Sequence, residues 1–233
     1  MRAYHNAATA LLHQAGKIVL QNMDRIDRVK IFFNKTTQLT ENSVANSIEQ
    51  SIISRLHELY PSHAILSKYS GMTQSLIPED KSPYTWVLDP LDGCNNFING
   101  VPLCAISLAL FENKRCVMGF VYDPISDQTF SATLDNGALL DGKKIRSQKT
   151  HKDQKPLIAI SCDMPISDLE SEIASIFKNP VNTGQIRTFG SASLSLAYQA
   201  TGSFNIFYGR DIHVCTAAAS ILIASEAGAS IKK

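Results

Sequence analysis

Two aspartates in one short run give the first chemical hint in this chain. In Trp86-Val-Leu-Asp-Pro-Leu-Asp-Gly-Cys-Asn-Asn-Phe97 an apolar strand runs into Asp89, Pro90 turns the chain, and Asp92-Gly93 opens a helix. Carboxylates held three residues apart at such a turn converge on one hard cation such as Mg²⁺. The N–H groups of Gly93, Cys94 and Asn95 at a helix start then face an anion. Cation and anion cradle together are what a phosphate ester requires. The same Asp-Pro-x-Asp-Gly spacing also serves as plain turn and cap chemistry, and spacing alone leaves both readings open.

The elements that must position this run follow from periodicity. Ala7, Ala8, Leu11, Leu12, Ala15, Ile18 and Val19 form the stripe of an amphipathic helix, and Val44, Ile48, Ile52, Leu56 and Leu59 predict a second over Ser43–Leu59, stopped by Pro61. Between them Lys30–Phe33 reads as a strand and Asn34–Glu41 as a polar loop. From Ala64 the pattern becomes that of short strands: Ala64–Leu66, Thr85–Leu88, Ala105–Phe111, Cys116–Tyr122 and Thr129–Thr133. Turn residues such as Asn113-Lys114 and Asp135-Asn136-Gly137 punctuate them, which predicts an antiparallel sheet. After a charged linker, Ser147–Lys155, strands at Leu157–Ser161, Gln185–Thr188 and Phe204–Phe207 alternate with helices at Ser167–Phe177, Ser191–Ala200 and Cys215–Ala227. Gly202 and Gly228 fall where helix C-caps belong. The expected architecture is layered α/β with two subdomains, 1–147 and 148–233.

Composition narrows the classes. The chain has 233 residues, net charge +1 and 44% hydrophobic content, an ordinary globular balance with no overall field for nucleic acid or an anionic membrane. Its longest apolar runs, Ala105–Phe111 and Ala217–Ala224, fall far short of the roughly 20 residues that a span needs. His13, Gln14 and Lys17 interrupt the apolar N-terminus, so no signal peptide is expected. Five cysteines without a CxxC pair predict neither a disulfide framework nor a zinc cluster. A cytoplasmic protein is the expectation.

The run Trp86–Phe97 resembles the first signature of the inositol monophosphatase family, WxxDPxDGTxNF. The likeness continues through Val121-Tyr-Asp-Pro-Ile-Ser126, Gly137-Ala-Leu-Leu-Asp-Gly142 and Arg187-Thr-Phe-Gly-Ser-Ala-Ser-Leu-Ser-Leu-Ala-Tyr198, which are similar to the bacterial SuhB-like branch. Ala217–Gly228, ending Ser225-Glu-Ala-Gly, resembles the helix of the second signature, WDxAAGxxxxxEAG. The resemblance implies an αβαβα sugar-phosphatase fold and Mg²⁺-dependent hydrolysis of inositol phosphate or another small phosphomonoester. It also implies a homodimer, and, from the bacterial branch, a protein partner in the transcription machinery. In such a site, carboxylates from four segments and one backbone carbonyl hold the metals, and a threonine and a glutamate help to activate water. Residue by residue, the resemblance makes Asp89, Asp92 and the Leu91 carbonyl metal ligands, and Gly93, Cys94, Asn95 and Ala192 substrate contacts.

Several positions depart from that pattern. Lys68 stands where the first metal-site glutamate belongs, and Tyr69 where its neighbour does. Cys215-Thr216 replaces Trp-Asp, so Thr216 sits at a lost ligand position. Ser43 replaces another aspartate, Cys94 the threonine after the first signature, and Gly209 a glutamate for an inositol hydroxyl. A family site gathers roughly four carboxylates, whereas Asp89, Asp92 and Lys68 sum to −1. One unit charge at about 4 Å is worth on the order of 4 kcal/mol at an effective dielectric of 20, so weak or absent Mg²⁺ is expected. Lys68, unable to act as metal ligand or base, is expected to fill the cation's place with its ammonium.

Rival assignments exist. Glu41, two residues from Ser43, or Asp211, five before Thr216, would serve as substitute ligands in an active hydrolase. Cys94 at a helix start is a candidate nucleophile, though no base adjoins it and a space-filling role is the simpler one. His213 reads as a loop histidine, and Lys143-Lys144 and Lys149–Lys155 as solvated faces. The sequence ends at Ser230-Ile-Lys-Lys233, just past the Glu-Ala-Gly turn, whereas family members usually continue through another strand and helix. A sheet edge without its usual cover is therefore expected.

Overall fold

The apolar stripes read from the sequence become helix faces: α1 (Arg2–Met23) buries Ala8, Leu11, Leu12, Ala15 and Val19, and α2 (Ser43–Leu59) buries Val44, Ala45, Ile48, Ile52 and Leu56. The computed structural model describes residues 1–34, 39–77, 82–148, 155–162, 174 and 184–232, with the side chains of 32–34, 39–41 and 162 left aside. The helix expected over Ser167–Phe177, apart from Ala174, and the lysines 149–155, apart from Lys155, lie outside the described residues.

A two-stranded hairpin, β1 (Ile31–Asn34) and β2 (Leu39–Asn42), links α1 to α2. Part of the segment expected to be loop is thus a strand. Its pairing with β1, Ile31 opposite Asn42 and Phe33 opposite Thr40, outweighs its polar composition. Asn42 then caps α2, its Oδ1 accepting from the N–H groups of Val44 and Ala45 at 3.1 and 2.8 Å.

Eight strands form the main sheet: β3 (Ala64–Ser67), β4 (Gly71–Thr73), β5 (Tyr84–Asp92), β6 (Ala105–Glu112), β7 (Arg115–Asp123), β8 (Gln128–Thr133), β9 (Ala138–Leu140) and β10 (Lys143–Ile145), in spatial order β10-β9-β8-β7-β6-β5-β3-β4. All neighbours are antiparallel except β3 and β5, which run parallel, a departure from the wholly antiparallel expectation. Alternation along each strand splits the core in two. Trp86, Leu88, Ile106, Leu108, Leu110, Phe120 and Tyr122 face α1 and α2. Val87, Ala105, Ala109, Val121, Phe130 and Ala132 face α4 (Ala192–Ala200) and α5 (Val214–Glu226), after the short α3 (Cys94–Ile98).

The contact between α5 and the sheet is backbone-close. A Cβ on Gly119 of β7 would lie 2.6 Å from the Ala219 carbonyl oxygen, so only glycine lets the helix seat there. Beyond α4 and α5 lies a second, three-stranded parallel sheet, β12-β11-β13, of β11 (Leu157–Cys162), β12 (Gln185–Arg187) and β13 (Ile206–Arg210). Helices, sheet, helices and sheet stack in that order, the α/β layering expected from the sequence. Among the described residues no helix is long and apolar enough to cross a membrane.

Candidate functional site

The Asp-Pro-Leu-Asp run is the irregular end of β5. Its register against β6 shifts between Asp89 and Asp92, so Pro90 sits where no ladder N–H is demanded. Asp89 is fully buried and Asp92 nearly so. Leu91 N–H donates to Asp89 Oδ1 at 3.3 Å, which is the local turn chemistry that one sequence reading anticipated. Leu91 itself is fully buried. Gly93 holds φ of +78°, and a Cβ there would meet the Leu103 carbonyl oxygen at 2.6 Å, so the turn into α3 admits only glycine.

Lys68 follows β3 directly, and its backbone N–H continues the parallel pairing by donating to Leu88 O at 3.0 Å. That anchor delivers the side chain to Asp89: Nζ lies 2.8 Å from Oδ2. Nζ also donates to Thr216 Oγ1 at 3.2 Å, and the Thr216 hydroxyl in turn donates to the same Asp89 oxygen. Lysine, threonine and aspartate close a triangle. Burial alone would discharge the ammonium, but the charges of Asp89 and Asp92 and the bond to Asp89 outweigh it and hold the Lys68 pKa above its ordinary value.

Asp92 is spent differently. Its Oδ2 accepts from Ser191 Oγ at 2.6 Å, Ser193 N–H at 2.9 Å and Ser193 Oγ at 2.6 Å, tying the loop to the first turn of α4. Burial and then the Asp89 charge push its pKa up, against the pull of Lys68 and the two serines. Ala192 lies buried between those serines. Cys94 starts α3, half-buried beside Tyr69; burial raises its thiol pKa, with Lys68 opposing. Asn95 is exposed and α3 is only five residues long.

Other predicted positions lie elsewhere. Ser43 opens α2 but is bonded to the chain before β1, its Oγ accepting from Lys30 N–H at 3.1 Å. Asp211 is exposed and faces Arg210 at 3.7 Å. Gly209 lies exposed on β13. His213 caps α5, its Nδ1 accepting from Cys215 N–H at 3.2 Å. The Glu41 side chain lies outside the described residues. Among the described residues no three His, Cys, Asp or Glu side chains gather as a metal ion would need.

Sequence reasoning missed Glu49. This buried carboxylate of α2 accepts from Ser67 Oγ, and from Ser70 N–H and Oγ at 3.1 Å each, so it fixes both flanks of Lys68. Its place on the same face as Ala45, Ile52 and Leu56 was the available signal, since a charge in an apolar stripe needs partners.

A family model described as "Inositol monophosphatase family" matches residues 1–232. The chain is 31% identical over 232 residues to a protein named Nus factor SuhB from Pseudomonas aeruginosa, covering 98% of this chain and 84% of that one. It is 30% identical over 228 residues to an inositol monophosphatase of Dictyostelium discoideum, covering 97% and 82%. The crystal structure of the extragenic suppressor protein SuhB from Bartonella henselae superposes with a TM-score of 0.86 at 27% identity, covering 97% of this chain and 85% of that one.

Proposed function

The chain belongs to the inositol monophosphatase family, and from that premise we propose that it is a member whose hydrolytic metal chemistry is lost or severely impaired, a pseudophosphatase that keeps the scaffold as a binding or regulatory module. The observation that carries this reading is the Lys68 ammonium 2.8 Å from Asp89 Oδ2. Mg²⁺ demands near-octahedral oxygen coordination that includes free carboxylate oxygens. Here one carboxylate oxygen is held by an ammonium and a hydroxyl, and one oxygen of the other by three donors. By residue count two carboxyl groups against one lysine leave a formal charge of −1, and the residues present do not fit the metal.

An ammonium supplies positive charge but no open coordination position, so it neither acidifies a bound water nor polarises a phosphoryl oxygen as a metal does. The position of the expected base is taken by the same cation, which cannot accept a proton from water. Binding is what remains for the cleft and the surfaces around it. Relatives named Nus factor make a protein partner the natural use of such a scaffold, with the subdomain division at 147/148, a homodimer and a cytoplasmic location as parts of the same proposal.

The deciding experiment is isothermal titration with Mg²⁺ and Mn²⁺ beside phosphate release from inositol 1-phosphate, with the Dictyostelium relative as the active control. Expected are no saturable metal heat at about millimolar concentration and turnover at least about a thousandfold below the control. Turnover within about tenfold of the control would restore the alternative, an active Mg²⁺-dependent hydrolase with substitute ligands.

A further inference from the structure

Away from the aspartates, the corner where α1, the end of α2 and β5 meet holds a buried histidine. His63 lies in the turn after α2, its backbone N–H donating to Tyr60 O at 3.0 Å, and β3 starts at the next residue. Only 5% of it is exposed. Four rings surround the imidazole: Tyr60 stacks on it at 5.0 Å and 13°, Tyr84 lies at 5.0 Å, Tyr4 at 5.6 Å and Trp86 at 6.4 Å. Tyr4 belongs to the first turn of α1, Tyr60 ends α2, and Tyr84 and Trp86 belong to β5, so the cluster pins both helices to the sheet.

The polar contact at its centre fixes a protonation state. Trp86 Nε1 donates to His63 Nδ1 at 3.1 Å, and Trp86 is fully buried. An indole N–H can only donate, so Nδ1 offers its lone pair there and carries no proton. A proton arriving at Nδ1 turns that acceptor into a donor. Two N–H groups then face each other in a buried corner, and the indole N–H loses its acceptor. The tyrosine hydroxyls around the ring stay neutral where a histidine titrates, those of Tyr60 and Tyr84 being pushed further above 10.0. Glu112, opposite Tyr84 on β6, acts on the Tyr84 hydroxyl. Aromatic faces attract an imidazolium, but that attraction does not restore the indole bond.

We propose that His63 is an acid-operated latch: a proton on Nδ1 releases the Trp86 indole and opens the corner between α1, α2 and the start of β3, while the rest of the sheet stays folded. Opening takes up a proton, so it grows as pH falls below the ordinary histidine range, about 6.5, and reverses above it. The opened corner uncovers the rings of Tyr4, Tyr60 and Tyr84. It also slackens the pairing of Ile65 with Trp86, at the end of β3 remote from Lys68. The loop after β4 is drawn in as well, because Ser75 Oγ and Leu76 N–H both donate to Pro61 O, two residues before His63. The inference does not depend on the state of the Asp89 cluster.

Trp86 is the single tryptophan of the chain, so its fluorescence and its indole N–H resonance report on this bond directly. As pH is lowered from about 7.5 to about 5.0, emission should move to longer wavelength and the indole N–H should lose at least about tenfold of its exchange protection, with far-ultraviolet circular dichroism unchanged. His63→Gln, which keeps an acceptor and takes up no proton, should hold both signals level over the same range. His5→Gln, whose ring packs on Phe120 at 5.1 Å, should leave the transition in place. If the His63→Gln chain does not fold, the His63 ring-proton titration of the parent decides, since the latch requires it to coincide with the indole signal. An indole resonance unmoved at about pH 5.0, a transition that persists in His63→Gln, or loss of the helical signal at the same midpoint overturns the proposal.

Discussion

Lys68 Nζ and Asp89 Oδ2 lie 2.8 Å apart, with Asp89 fully buried and the Lys68 side chain 14% exposed, so the charge of each answers the other where little water reaches. Removing one partner leaves the other's charge uncompensated, and that loss is larger than the worth of the pair itself. Lys68→Met should therefore destabilise the fold by about 3–5 kcal/mol. Lys68→Met combined with Asp89→Leu should recover much of the loss, because both charges then go together. Urea midpoints of the two variants provide the check, and equal midpoints would contradict the pairing.

Charge reversal at the same place tests the metal reading. Lys68→Glu with Thr216→Asp adds two carboxylates beside Asp89 and Asp92 and removes the ammonium, taking the cluster from −1 to −4 by residue count. Mg²⁺ at about 5 mM should raise the thermal midpoint of this double variant and leave that of the parent unmoved, as binding to the folded state alone requires. Ser43 is left out because its hydroxyl is bonded to Lys30. A double variant indifferent to Mg²⁺ would mean that the scaffold itself no longer presents ligand geometry.

How much of this was legible in the residues can be judged from particular positions. The stripes of α1 and α2 and the strands around Asp89 were readable because burial enforces their period. The pairing of Lys68 with Asp89 was expected from the family pattern, and the Thr216 hydroxyl completing it was not, since 148 residues separate it from Lys68. Ser191 and Ser193 on Asp92 are hidden in the same way: tertiary folding, not local spacing, brings α4 to the loop. The β2 strand was lost to its polar composition, because cross-strand pairing decided it. His213 looked like a loop residue, and only its backbone geometry reveals a helix cap.

Glu49 predicts a more local effect. Its Oε1 gathers three donors from Ser67 and Ser70, the residues on either side of Lys68-Tyr69. Glu49→Leu leaves the buried Ser67 hydroxyl without an acceptor and releases the exposed Ser70 to water, and it should cost about 1–3 kcal/mol. Amide exchange should quicken first over residues 67–70, before α2 or β5 responds. Uniform acceleration across the sheet would instead make Glu49 a general core residue.

The pH dependence follows from the directions of the shifts. Burial pushes the thiols of Cys104, Cys116 and Cys215 from 9.0 up to about 12, and it also raises Tyr69 and Tyr122. A raised pKa means the folded chain keeps a proton that the unfolded chain gives up. Stability is then full below pH 9.0 and is lost as pH rises toward about 12. Each group contributes a slope of at most about 1.4 kcal/mol per pH unit inside its window. Lys68, held above its ordinary 10.5, loses stability in the same direction at higher pH still. The urea midpoint should accordingly fall steadily above pH 9.0. Cys104→Ala should flatten that fall while lowering the neutral-pH midpoint slightly, because it removes one protonated thiol from the folded side. A midpoint that is level across the window, or a slope untouched by Cys104→Ala, would show that these thiols ionise as readily folded as unfolded.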